Sequence, residues 1–229
     1  MGTSNWQNIS YNIDLIRKIN PKSVLDIGVG FGRWGILCRE FLEIWDEGNY
    51  SGKWKRKIDG IEVFQSYIKE YHKHFYDNMY IHEAFDFIKN LKTNYDLIIC
   101  GDVIEHFEKS RGKEFISLCF EKSTYLMINI PLGNGWEQSK KNNNIYEEHL
   151  SIWYLKDFKE FKPQIIRVFR DFLYRKFAVV LISNKFENIE YNIKKRYGKY
   201  YKIKAFANNY LNIRKIVNNY DEKKKHSNK

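Results

Sequence analysis

Two hydrophobic periods take turns along this chain, and their order predicts its architecture. Short apolar runs bounded by polar residues recur at Val24–Ile27, Lys57–Val63, Met79–Glu83, Tyr95–Cys100 and Thr124–Ile130, as expected of strands in a covered sheet. Between them lie stretches of helical spacing. Ile13, Ile16 and Ile19 form a stripe that stops at Asn20-Pro21, where proline forbids continuation. Trp34 to about Trp45, Tyr67 to Phe75, Phe85 to Leu91 and Lys113 to Phe120 carry the others. Strands alternating with helices predict an α/β fold with a doubly wound sheet. Pro131 is expected to end the fifth strand, and the Gly-, Asn- and Lys-rich stretch Leu132–Glu148 reads as a lid, since long loops usually carry function. A short helix at Leu155–Phe161 follows, and Gln164–Phe172 with Lys176–Ser183 reads as a hairpin on the sheet edge. The domain is expected to span residues 1–185. Residues 186–229 are read as a basic, partly helical extension, disordered at its last residues, Asp221–Lys229.

No run approaches the ~20 apolar residues that a bilayer span needs. The opening residues, Met-Gly-Thr-Ser-Asn-Trp, lack the basic and apolar regions of a signal peptide, so a cytoplasmic location is the expectation. Cys38, Cys100 and Cys119 are odd in number and widely spaced, which argues for apolar fillers rather than a disulfide framework or zinc site. The formal charge of +11 is uneven: residues 186–229 hold twelve Lys/Arg against four Asp/Glu. The extension therefore reads either as a solvated charged face or as a surface for an anionic partner, a membrane or RNA.

Gly28, Gly30 and Gly32 close the first strand. Glycine at alternate positions lets the backbone take positive φ and lets a ligand approach with no Cβ in the way. A helix packed unusually close to the sheet is the other reading. Arg33 stands where a dinucleotide fingerprint needs its third glycine, and no Gly-Lys-Ser/Thr follows, so neither pyrophosphate motif fits. In open parallel sheets the ligand lies beyond the carboxyl ends of the strands. Those positions are Asp26 with the glycines, Glu62-Val63-Phe64, Glu83-Ala84-Phe85, Gly101-Asp102 with Glu105 and His106, and Pro131. A carboxylate closing the second strand suits a ribose diol, because its oxygens accept both hydroxyl hydrogens.

Val24 to Gly35, Ile61-Glu62, His82-Glu83-Ala84 and Tyr95 to His106 resemble the ordered motifs of class I S-adenosylmethionine-dependent methyltransferases. The resemblance covers residues 10–183 and implies a seven-stranded sheet with its last strand antiparallel. It implies that Gly28, Gly30 and Gly32 pass the methionine moiety, that Glu62 holds the ribose, and that Glu83, Ala84 and Phe85 line the adenine, with Phe64 as an alternative wall. Asp26, Val63, Gly101 and Asp102 complete the implied S-adenosylmethionine site.

The segment after the fourth strand lacks the Asn/Asp-Pro-Pro-Tyr/Phe of many N-methyltransferases and reads Gly-Asp-Val-Ile-Glu-His. It resembles that of ubiquinone-type, sugar and antibiotic O-methyltransferases and of small-RNA terminal-ribose 2′-O-methyltransferases. Tyr146 to Trp153 is similar to the Glu-x-His-x-x-x-Trp stretch of bacterial methyltransferases, some tied to glycan or secondary-metabolite synthesis. The implied activity is methyl transfer to a hydroxyl oxygen of a small molecule or a sugar unit of a glycan. An RNA ribose 2′-O-methyltransferase is the alternative, and a non-catalytic cofactor-binding scaffold is a third.

Asp102, Glu105, His106 and His149 are the candidate catalytic residues. A helix beginning straight after the fourth strand would put positions 102, 105 and 106 on one face. His149, arriving from the lid, would add a second imidazole, and the four could hold Mg²⁺, Mn²⁺ or Zn²⁺ against an acceptor hydroxyl. Without metal, His106 or His149 would act as general base.

Overall fold

The computed structural model describes residues 5–140 and 144–185. The expectations for the tail, residues 186–229, lie outside the described residues. The described residues belong to one compact unit, Met1–Glu187. Its frame is a seven-stranded sheet of order β3-β2-β1-β4-β5-β7-β6. The strands are β1 (Ser23–Ile27), β2 (Lys57–Glu62), β3 (Asn78–Ile81), β4 (Tyr95–Gly101), β5 (Ser123–Leu132), β6 (Ile165–Arg170) and β7 (Lys176–Ser183). The first five pair in parallel, whereas β7 runs antiparallel to both β5 and β6. The fold implied by the sequence is the one observed. Among the described residues no helix is long and apolar enough to cross a membrane.

The central strands are apolar on both faces because both are covered. Leu25, Ile27, Ile98, Cys100, Leu126 and Ile128 share one cluster with Ile88, Phe115, Ile116 and Trp153, drawn from α3 (Ala84–Asn90), α4 (Lys109–Glu121) and the segment after the long loop. On the opposite side pack α1 (Ile9–Ile19) and α2 (Arg33–Cys38). α1 closes at Asn20 in the left-handed region, φ 51°, whose N–H bonds to Ile16 O, one of the few non-glycine residues that tolerate this cap. Cys38, Cys100 and Cys119 are buried and unpaired, as expected of fillers.

The elements depart from the sequence pattern in four places. The stretch expected as one helix over Tyr67–Phe75 is two short 3₁₀ turns, Gln65–Tyr67 and Glu70–His74. His72 is fully buried and its Nδ1 accepts the Lys69 N–H at 2.9 Å, so a side chain takes the bond a continuous helix would have used. The helix after the glycine loop runs to Trp45 as expected, but its second half, Arg39–Trp45, is a π-helical turn. Buried Arg39 there meets Glu43, Asp77 and the carbonyls of Arg56 and Phe75. Pro131 does not end β5. β4 stops at Gly101, opposite Asn129, so at Pro131 one side of the strand is already unpaired and the missing N–H costs no ladder bond on that side. Finally, α4 begins at Lys109, four residues before the expected start at Lys113.

Candidate active site

A cavity of about 580 Å³ opens over the carboxyl ends of β1, β2 and β4, within the size range of small-molecule sites. Gly28 and Gly30 line one wall, with φ of 72° and 52°. A Cβ on Gly28 would lie 2.7 Å from Val103 Cγ2, so glycine is required there twice over, by conformation and by space. Glu62 lines the same cavity while only 6% exposed. Its Oε2 accepts Gly30 N–H at 2.9 Å and its Oε1 accepts Phe64 N–H at 3.0 Å. Burial raises its pKa, and those backbone donors pull it back. A buried carboxylate is thereby held at the edge of a glycine loop, with lone pairs left to accept from a polyol.

Behind the loop, Asp26 is fully buried and accepts Tyr76 Oη–H at 2.6 Å, while Tyr76 Oη accepts Gly35 N–H at 3.1 Å. A Cβ on Gly35 would fall 2.3 Å from Tyr76 Cζ. Close packing therefore accounts for glycine at both positions, against Val103 at Gly28 and against Tyr76 at Gly35. Burial pushes the Asp26 carboxyl up to about 8 against the Tyr76 hydrogen bond.

At the far wall the chain leaves β4 through Asp102, whose φ of 54° is left-handed, and makes a 3₁₀ turn at Ile104–His106. Positions 102, 105 and 106 therefore do not share a face of one continuous helix. Glu105 O accepts Leu150 N–H at 2.8 Å and Ser151 N–H at 3.1 Å, which pins the end of the long loop to this turn. The His106 Nδ1–H donates to Glu148 O at 2.9 Å. A carbonyl can only accept, so Nε2 is left with the lone pair. The rings of His106 and His149 meet edge to face, 4.9 Å between centroids. Burial lowers the His106 pKa, which favours the neutral imidazole. Glu105 is 1% exposed and neither carboxylate oxygen has a hydrogen-bond partner among the described residues. Burial first and Asp102 second hold its pKa well above the carboxylate range.

Glu105, His106 and His149 bring one donor atom each within 4.8 Å of one another. One carboxylate and two imidazoles, with an orphaned buried oxygen among them, fit a divalent cation. Asp102 lines the cavity but lies outside that group.

Comparison with solved structures places this frame. Over 77% of this chain and 62% of the other, it superposes on TehB from Haemophilus influenzae with a TM-score of 0.54 at 16% identity. The magnesium protoporphyrin IX methyltransferase ChlM from Synechocystis PCC 6803, solved with bound SAH, matches with a TM-score of 0.54 at 13% identity, over 80% of this chain and 90% of that one. A SAM-dependent methyltransferase from Archaeoglobus fulgidus matches with a TM-score of 0.51 at 17% identity, over 75% and 93%. The fold is that of the class I methyltransferases. No family model and no curated protein matches the sequence, and this chain spans 62% of TehB.

Within that methyltransferase fold, Gly28, Gly30, Glu62, Val63, Glu83, Ala84, Gly101 and Asp102 line the cavity together with Glu105, His106 and His149. Glu83 also caps α3, accepting Asp86 N–H at 3.0 Å. Four expected cofactor residues stand behind or beside the lining. Asp26 supports the loop through Tyr76, Gly32 packs on His72, Phe64 packs edge-on against Tyr67 at 4.9 Å, and Phe85 joins the core with Phe107 and Phe115. Other lining residues carried no sequence signal of their own. Tyr67 Oη–H donates to Glu147 Oε1 at 2.8 Å, and Gln138 Nε2–H donates to Glu147 O at 2.6 Å, so the long loop reaches across the cavity toward the β2 side. The composition of that loop marked it as functional without marking these side chains.

Proposed function

We propose that this chain binds S-adenosylmethionine at the glycine loop and Glu62 and transfers its methyl group to a hydroxyl oxygen of a small molecule or of a sugar unit of a glycan. One observation carries the reading: a single cavity joins the carboxylate-braced glycine loop to the His106–His149 pair. Bound there, S-adenosylmethionine would supply the electrophilic methyl carbon and its own leaving group. The protein then has three tasks. Glu62, oriented by two backbone N–H groups, accepts the ribose hydroxyls. The pinned loop holding His149 positions the acceptor for in-line attack. Without metal, His106 Nε2, neutral through burial and fixed in its tautomer by Glu148, takes the proton from the acceptor hydroxyl as it attacks.

Glu105, His106 and His149 would hold a divalent metal if one takes part, and its chemistry would be to lower the pKa of the acceptor hydroxyl. Glu105, with both oxygens unpaired in a buried site, favours that version. The test is transfer of radiolabelled methyl from S-adenosylmethionine to panels of sugars, glycans, phenols, RNA and amines. Labelling of a hydroxyl, reduced in both His106→Ala and His149→Ala, is the expected result. Labelling of ribose in RNA would move the acceptor class, and labelling of amines alone would contradict the reading.

A further inference from the structure

The tightest turn in the sheet joins β6 to β7, and it exposes three consecutive apolar residues. Phe172 is 79% exposed, Leu173 59% and Tyr174 78%. Their display is built into the backbone. Asp171, 7% exposed, accepts the N–H groups of Leu173 and Arg175 on Oδ1, both at 2.9 Å, and Arg175 Nε–H on Oδ2 at 2.8 Å. Tyr174 N–H closes the turn onto Asp171 O at 3.0 Å, and Arg170 Nη1–H donates to Tyr174 O at 3.1 Å. Tyr174 sits at φ 60°, a conformation unfavourable for a residue with a Cβ. A frame this closely bonded holds the apolar side chains outward rather than letting them fold back.

We propose that this turn docks into the interface of an anionic lipid membrane. Side chains at three successive positions of a tight turn diverge, so a bound small molecule could cover Phe172, which lines the cavity, but not all three. A medium that surrounds the tip covers them together. The collar fits the same partner: Arg167, Arg170 and Lys176 are exposed on the two strands, and the one acid of the turn, Asp171, is paired with Arg175 at 2.8 Å. An apolar and aromatic tip ringed by cations matches acyl chains beneath anionic headgroups. Lys176 pairs with Leu132 at the carboxyl end of β5, so the tip stands at the cavity end of the sheet. Docking would turn the cavity mouth toward the membrane, where a lipid-borne hydroxyl could be reached. That consequence alone rests on the methyl-transfer reading; the docking does not.

The test uses the full chain, without cofactor. The three native cysteines are buried, so Leu173→Cys can be labelled selectively with the polarity-sensitive fluorophore NBD. Lys22→Cys, exposed at the opposite end of the sheet, is the control position. With vesicles of phosphatidylcholine containing phosphatidylglycerol, emission at position 173 should shift to the blue and rise about twofold or more, as insertion into an apolar interface requires. Emission at position 22 should not change. Combined Phe172→Ser, Leu173→Ser and Tyr174→Asn should weaken vesicle binding about tenfold or more, and Asn tolerates the left-handed position, so the turn survives. Vesicle binding with unchanged emission at 173 would overturn the proposal, because attachment would then lie elsewhere. So would wild-type affinity in the triple variant, or apolar emission at 173 before lipid is added, which would mean that protein covers the tip.

Discussion

Glu62 is asked to do two things at once, and Glu62→Gln separates them. The carboxylate gives one oxygen to Gly30 N–H and the other to Phe64 N–H. An amide has one oxygen, so whichever way it turns, one backbone N–H must face an NH₂ group. Leaving a buried donor unpaired costs about 1–3 kcal/mol, which would be roughly 5- to 150-fold in an equilibrium constant. Burial already opposes the carboxylate charge, so the neutral amide recovers part of that loss. We expect S-adenosylmethionine affinity to fall about tenfold. Loosening of the loop should also show without ligand, as a loss of about 1 kcal/mol and a melting point lower by about 2–4 °C. Titration calorimetry and thermal unfolding on the same samples read the two effects. A folded Gln variant that binds the cofactor as tightly as wild type would refute the reasoning, because neither the loop nor the ribose would then depend on this carboxylate.

Asp26→Asn should change how stability varies with pH. The folded carboxyl titrates at about 8 against an ordinary value of 3.8, so wild type loses stability as pH rises from about 4 to 8. The variant should gain on wild type steadily across that window in denaturant titrations, and a pH-independent difference would remove the buried carboxyl as its source. His106 has a lowered pKa, so its neutral form dominates at pH 6.5 and methyl transfer should fall only as pH drops below that point; nitrogen-15 spectra of the ring at pH 6.5 check the protonation state directly. Where a metal takes part, Mn²⁺ or Zn²⁺ should raise the melting point of wild type but not of Glu105→Gln, and chelation should lower activity. Equal metal shifts in both proteins would exclude Glu105 as a ligand.

The strands themselves were legible because parallel strands covered on both faces leave apolar runs, and Leu97 to Cys100 is of that kind. The place of Glu62 at the cavity was legible because β2 ends at the carboxyl edge of the sheet, where ligand clefts lie. What the sequence hid was set by side chains acting on the backbone. His72 takes the Lys69 N–H and breaks a helix whose apolar stripe looked sound. Asp102 enters the left-handed region, so Asp102, Glu105 and His106 do not line up as spacing on a helix would have them. Phe85 and Asp26 fall at positions that face a ligand in the resemblance, yet one packs in the core and the other braces the loop from behind. Tyr67 and Glu147 meet across 80 residues of sequence, a contact no local period encodes.

Equilibrium titration of the full chain with S-adenosylmethionine and with its demethylated product tests the central claim most directly. The cavity geometry predicts one molecule of either compound per chain, each excluding the other, with binding reduced in Glu62→Gln. No heat from either compound with a demonstrably folded chain would contradict the account.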